Sequence, residues 1–236
     1  MTQRSAATSA LATGGLQAVL FDMDGVLVDS EPLWFEAESA VMARLGGDWA
    51  PGDQRALVGG SMAVTVAYLL GKAARQADPA EIESWLVDSM ATMLTTRPLP
   101  VMPGARQLVR EVAAARLPYG LVTSSERQIM DAVLAEFRVS FPVTVCAADV
   151  SRCKPDPEGY LLAAAKLSVD PRQCVVIEDS PNGIAAAEAA GCLAVAVPGV
   201  VPIPPAPGRL VVPAVSELSL PRLREVFNQL RGGDSR

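Results

Sequence analysis

Two pairs of carboxylates stand out by position: Asp22 and Asp24 in F-D-M-D-G, and Glu178 with Asp179 in V-V-I-E-D-S. Each pair follows directly on an apolar run, so a buried strand would deliver two acids to one place. Gly25 stands next to Asp24, where the backbone must turn sharply. Asp and Gly often make an ordinary turn after a strand, but a turn alone gives no reason for an apolar strand to end in two acids. Four carboxylates in one half-buried cleft would repel one another, so either their pKa values rise or a divalent cation neutralises them. Oxygen donors without sulfur or imidazole suit Mg²⁺. Thr123, in G-L-V-T-S-S, offers a hydroxyl, and Lys154, in R-C-K-P-D-P, offers a charge fixed between a bend and a helix start. A phosphoryl group could sit between them. Singly, Thr123 reads as well as a helix cap and Lys154 as a solvated lysine; the chain order of acids, hydroxyl, lysine, acids is what sets them apart.

The chain has no histidine. Ser-His-Asp triads, Cys-His dyads and His-ligated zinc sites are thereby excluded, and catalysis must run on carboxylates, hydroxyls, thiols or the lysines Lys72, Lys154 and Lys166. A net charge of −6 with no long basic run argues against a nucleic-acid partner and for a small-molecule one. Cys146, Cys153, Cys174 and Cys192 show neither paired metal-ligand spacing nor the density of a disulfide scaffold. No signal-peptide pattern opens the chain, and no apolar run reaches the roughly 20 residues that cross a bilayer. A reduced, cytoplasmic protein without a membrane partner is expected; nothing in the sequence marks an oligomeric state. Cys146 to Arg152 fits a C-x₅-R phosphate cradle, but Asp149 would put negative charge inside it, so the thiol reads as buried and inert.

These residues need a scaffold, and 236 residues, 50% of them apolar, suffice for one large domain or one large plus one small. Gln17 to Asp22, P-Y-G-L-V-T-S, V-T-V-C-A-A-D, Q-C-V-V-I-E-D and L-A-V-A-V-P-G read as buried parallel strands. Helical patterns over Ala105 to Arg116, Glu126 to Phe137, Pro157 to Leu167 and Ile184 to Ala190 alternate with them, predicting a doubly wound, mostly parallel α/β core. The alternation breaks once, between Glu31 and Arg97, where helix follows helix. The expected organisation is a disordered leader over residues 1–15, a core over 16–30 and 98–236, and an inserted helical cap over 31–97. Asp29 and Ser30 are expected to form an outgoing strand, and T-T-R-P-L-P-V-M-P-G a proline-rich return, as two hinges of a lid. The first cap helix should turn Leu33, Ala37, Ala40, Val41 and Leu45 to one face, with further helices over Met62 to Arg75 and Pro79 to Leu94. P-G-V-V-P-I-P-P-A-P-G reads as a surface loop before a last short strand and a helix over Leu218 to Leu230.

D-M-D-G-V-L-V-D-S, V-T-S-S, C-K-P-D-P-E-G-Y and I-E-D-S-P-N-G-I-A-A-A-E-A-A-G, in that order, resemble the motifs of the haloacid dehalogenase superfamily of phosphohydrolases, with the insertion where that family's small cap belongs. The resemblance implies a Rossmann-like core and a phosphatase acting on a small phosphorylated metabolite. Asp22 would attack phosphorus and become an aspartyl phosphate, while Asp24 would protonate the leaving oxygen and then deprotonate water. Mg²⁺ would be held by the Asp22 side chain, the Asp24 main-chain carbonyl and Asp179, with Glu178 a direct or water-mediated ligand. Thr123 and Lys154 would bind the phosphoryl oxygens, with Gly25 and Ser124 beside them.

Within the superfamily, D-S-E-P-L-W looks most like the deoxyglucose phosphate and hexitol phosphatases, with phosphoglycolate phosphatase next. A β-phosphoglucomutase-like enzyme shares the cap, but Trp34 and Met62 stand where its cap histidine and phosphate-binding arginine would lie, which favours hydrolysis. A receiver-like phosphorylated switch would have no place for the insertion, and a phosphonate-cleaving Schiff base would have to use Lys72, which reads better as a solvated lysine. Glu31, Trp34, Glu38, Gly60 and Ser61 are the expected specificity residues.

Overall fold

The computed structural model describes residues 15–232, so the leader expected over residues 1–15 lies, Gly15 aside, outside the described residues. The strands are β1 (Ala18–Phe21), β2 (Tyr119–Val122), β3 (Val143–Val145), β4 (Cys174–Glu178), β5 (Leu193–Ala196) and β6 (Arg209–Val211). They form one sheet in the order β3-β2-β1-β4-β5-β6, every neighbouring pair parallel. β1, β4 and β5 are buried at every residue, which is why they read as unbroken apolar runs rather than alternating ones. Successive residues serve opposite layers. Val19, Phe21, Val175 and Ile177 belong to one hydrophobic cluster, and Ala18, Leu20, Cys174 and Val176 to the other.

Between β1 and β2 the chain leaves the sheet through α1 (Glu31–Arg44), α2 (Pro51–Arg55), α3 (Met62–Lys72) and α4 (Pro79–Thr96) before α5 (Ala105–Ala114) rejoins it. The remaining helices, α6 (Arg127–Phe137), α7 (Glu158–Leu167), α8 (Pro181–Ala189) and α9 (Leu220–Gly232), flank the sheet. α4 opens on Asp78, whose carboxylate accepts from the Ala80 N–H, followed by Pro79 at the first helical position. Its buried Ile82, Leu86 and Met90 share a cluster with Val41, Met42, Leu45 and Leu69 of the other helical segments. Chain order reverses between β1 and β4, so the crevice beyond their carboxyl ends is the topological switch point of the sheet. Asp22 and Asp179 are the first residues past those two ends.

Two expectations need correction, and one short helix is additional to them. Asp29 and Ser30 form no strand; Val28 makes a single antiparallel bridge to Val101, and Ser30 instead stands at the N-cap of α1. α2 escapes the sequence pattern because Pro and Gly dominate its start and a turn is the ordinary reading of P-G-D. The buried face of α1 is rotated from the expected one. Ala37, Glu38, Val41 and Met42 are buried while Ala40 is exposed, so a carboxylate occupies a position that charge alone assigns to solvent.

Candidate active site

The loop after β1 holds both of its acids rigidly. The Asp22 N–H continues the ladder to the Ile177 carbonyl at 3.0 Å, and Gly25 N–H to Val28 O (2.8 Å) with Leu27 N–H to Met23 O (2.8 Å) close the turn. Gly25 sits at φ 73°, and a Cβ there would lie 1.9 Å from Asp179 Oδ2, so only glycine lets this turn press against the second strand end. Gly25 thus packs the two motifs together, and it is not among the residues that line the cleft.

Asp22 is 6% exposed, and Lys154 reaches it from the loop before α7. The Lys154 Nζ donates to Asp22 Oδ1 at 2.5 Å, to Glu178 Oε1 at 2.6 Å and to the Val122 carbonyl at 2.9 Å. Burial works against the ammonium, but Asp22 and Glu178 outweigh it and keep Lys154 charged. Burial first, then Glu178, push the Asp22 pKa well above the usual carboxylate range despite the lysine, and burial with Asp22 does the same to Asp179.

Asp24 is gripped from two sides. Ser30 Oγ donates to its Oδ1 at 2.5 Å with the Trp34 indole N–H at 3.4 Å, and Ser125 Oγ donates to its Oδ2 at 2.8 Å with Thr123 Oγ1 at 3.4 Å. Thr123 also accepts from the Ser125 N–H at 3.0 Å, a local turn that precedes α6 rather than a helix cap, since the N-cap of α6 is Glu126. Ser124 Oγ is buried, lines the cleft and has no hydrogen-bond partner, which leaves it available to a bound oxyanion. Ser125 was not singled out in the sequence, although V-T-S-S contains it.

Glu178 is fully buried and accepts five hydrogen bonds: Lys154 Nζ and Tyr160 OH (2.8 Å) on one oxygen, the N–H groups of Asp179 (3.0 Å) and Ser180 (3.2 Å) and Ser180 Oγ (3.1 Å) on the other. A Cβ at Gly183 would lie 1.8 Å from Glu178 Oε1, so the first turn of α8 packs directly on this carboxylate. Tyr160 is the second residue the sequence did not single out; it stands in C-K-P-D-P-E-G-Y. Carboxylate oxygens of Asp22, Glu178 and Asp179 lie within 4.8 Å of one another. Four acids against one lysine leave an excess of negative charge, and the donors are all hard oxygens, so the residues fit a divalent cation.

A cleft of about 730 Å³, its open mouth included, separates these groups from the helical insertion. Glu31, Trp34, Glu38, Gln54, Gly60 and Met62 line it from the insertion side. Ser61 does not line it; it stands at the N-cap of α3, and the next residue, Met62, reaches the cleft instead. Gln54 Nε2 donates to Glu31 Oε2 at 2.9 Å, yet burial, with Asp24 adding to it, raises Glu31 to about 7. Burial, then Glu31, raise Glu38 from its ordinary 4.5 to about 8. Lys72 pairs with Asp53 at 2.5 Å and stands outside the cleft. The Cys146 thiol is buried, burial pushes its pKa up, and Arg152 is exposed, so the C-x₅-R spacing builds no cradle.

The Glu38 shift predicts a pH dependence of stability. Folded Glu38 keeps its proton up to about pH 8 while the unfolded chain releases it near 4.5, so stability is full below that window and falls across it as pH rises. Glu38→Gln cannot ionise. It should match wild type at about pH 5 and exceed it by on the order of 1–3 kcal/mol at about pH 8, read by urea denaturation at both pH values. Equal stability differences at the two pH values would contradict the shift.

A family model, haloacid dehalogenase-like hydrolase, matches residues 16–191. Hexitol phosphatase B of Escherichia coli (strain K12) is 37% identical over 186 residues, 77% of this chain and 83% of that protein. Validoxylamine A 7'-phosphate phosphatase of Streptomyces hygroscopicus subsp. limoneus is 35% identical over 191 residues, 76% of this chain and 84% of that protein. Among solved structures, a mutant of CbbY from Rhodobacter sphaeroides in complex with xylulose-(1,5)bisphosphate superposes with a TM-score of 0.80 at 26% identity, covering 87% of this chain and 98% of that one. With two aspartates on one rigid turn, a charged lysine on the first of them and a third acid at the neighbouring strand end, the chain belongs to the haloacid dehalogenase-like hydrolases and is a phosphatase of that family.

Proposed function

We propose that the chain hydrolyses sugar or sugar-alcohol phosphate monoesters with Mg²⁺, through an aspartyl phosphate on Asp22. The observation that carries this reading is the Lys154 link to Asp22, set beside Asp24 and the unpartnered Ser124 hydroxyl. The Asp22 carboxylate attacks phosphorus and the bond to the ester oxygen breaks, that oxygen taking a proton from Asp24. Asp24 then takes a proton from water, whose oxygen displaces Asp22 from phosphorus; inorganic phosphate leaves and the Asp22 carboxylate is restored. Lys154 orients Asp22 by holding Oδ1 and meets the phosphoryl charge together with the Thr123 and Ser124 hydroxyls.

The side chains of Asp22 and Asp179 and the Asp24 main-chain carbonyl would hold Mg²⁺, which when bound neutralises the clustered acids and stabilises charge on the phosphoryl oxygens. Glu178 is better suited to a water-mediated role, because both of its oxygens are already engaged by five donors. We read residues 31–97 as a cap over a core made of 16–30 and 98–236. The Asn182 Nδ2 donates to the Gly59 carbonyl at 2.9 Å, so the two parts meet at the cleft's rim. The hexitol phosphatase and validoxylamine phosphate phosphatase matches support a polyhydroxylated substrate. Four cysteines with neither paired spacing nor the density of a disulfide scaffold support a reducing compartment such as the cytoplasm.

The test is phosphate release from a panel of phosphate monoesters with Mg²⁺ and after stripping with EDTA. Metal removal is expected to lower turnover by at least about a hundredfold, with recovery on adding Mg²⁺ back. Turnover that survives chelation would overturn the proposed mechanism.

A further inference from the structure

We infer that the cleft selects phosphate esters whose remainder is free of negative charge and rich in hydrogen-bond donors, and that Glu38 is the residue that reads those donors. The inference rests on the phosphatase reading above and narrows its substrate. Glu38 is 4% exposed, lines the cleft, and has a buried Oε2 with no hydrogen-bond partner. The Trp49 indole N–H approaches the same carboxylate without completing a hydrogen bond, and is itself buried without a partner. A buried acceptor left open is unfavourable in an empty protein and favours a ligand that brings a donor.

Glu31 adds a second acceptor in the same cleft, held in place through Gln54 of α2. Charge points the same way. Among the described residues that line the cleft, Lys154 is the one cation, and it is already shared by Asp22 and Glu178. A carboxylate or a second phosphate on the substrate would therefore be desolvated in the cleft with no free counter-charge. Hydroxyl groups spaced along a carbon chain satisfy both glutamates and carry no charge into the cleft. An ammonium on the sugar would supply the same donors.

The experiment compares kcat/KM, with Mg²⁺, for glucitol phosphate, glucosamine phosphate, phosphoglycolate, fructose bisphosphate and p-nitrophenyl phosphate, in wild type, Glu38→Gln and Glu31→Gln. Wild type should prefer glucitol phosphate over phosphoglycolate and fructose bisphosphate by roughly ten- to a hundredfold. Glu38→Gln should lose about tenfold more on glucitol phosphate than on p-nitrophenyl phosphate, and should narrow the discrimination against the two anionic esters. Glucosamine phosphate outpacing glucitol phosphate would support the same inference and assign the donor as ammonium. Phosphoglycolate or the bisphosphate turned over as well as glucitol phosphate would overturn it, as would equal losses of Glu38→Gln on glucitol and p-nitrophenyl phosphates. Should Glu38→Gln not fold, Glu31→Gln carries the same comparison. Failure of every ester, p-nitrophenyl phosphate included, would instead count against the phosphatase reading itself.

Discussion

Asp22→Asn is expected to remove at least about ten-thousandfold of turnover on every phosphate ester while leaving a folded protein. The substitution keeps size and shape but replaces the attacking carboxylate with an amide, and no histidine exists to open another route. The neighbours tolerate the change because Lys154 keeps Glu178 at 2.6 Å and the Val122 carbonyl at 2.9 Å, and an amide oxygen can still accept its third hydrogen bond. Burial and Glu178 already disfavour the charged form of Asp22, so losing that charge removes a repulsion along with an attraction. Stability should therefore stay within about 2 kcal/mol of wild type. Phosphate release and a thermal melt, run side by side, separate the two effects. Residual activity of a few per cent in a clean preparation would take the nucleophile's role away from Asp22.

Much of this arrangement is legible in the residues, for identifiable reasons. β1 and β4 are central strands of a parallel sheet, so they are apolar at every position, and acids that follow such runs stand at its carboxyl edge. The interruption between β1 and β2 is legible because helical periodicity persists there without a strand. What escapes depends on which element lies opposite. Tyr160 on α7 meets Glu178 because the sheet order places them together, and no local pattern encodes that contact. Ser125 grips Asp24 across a separation of 101 residues, where sequence spacing carries no information.

Glu38 is legible in part. Its place on the first cap helix marks it as a specificity residue and it does line the cleft, but the rotation of α1 that buries it beside Ala37, Val41 and Met42 does not follow from hydrophobicity, which assigns a charged residue to solvent. The rotation makes sense only once Trp34, Gln54 and the strand-end acids face it across a cleft. Similarly, Gly60 and Ser61 belong to one turn, but which of them reaches the cleft depends on where α3 begins.

Asp24→Asn should divide the reaction in two. Asparagine can keep contacts with Ser30, Ser125 and the Trp34 indole side, so the turn after β1 should hold its shape, but it can neither give nor take the proton. A sugar alcohol is a poor leaving group and needs that proton, whereas p-nitrophenolate leaves without it. Phosphorylation of Asp22 by p-nitrophenyl phosphate should thus survive in part, giving a burst of p-nitrophenolate near one equivalent per enzyme. Hydrolysis of the aspartyl phosphate lacks its base, so the burst should be followed by turnover slowed by about a hundred- to ten-thousandfold. Intact-mass analysis during the stall should find one added phosphoryl group, absent from Asp22→Asn. On glucitol phosphate the same variant should show no burst, because the first step stalls for want of an acid. Equal losses on both esters with no phosphorylated enzyme would move the acid and base role from Asp24 to another group.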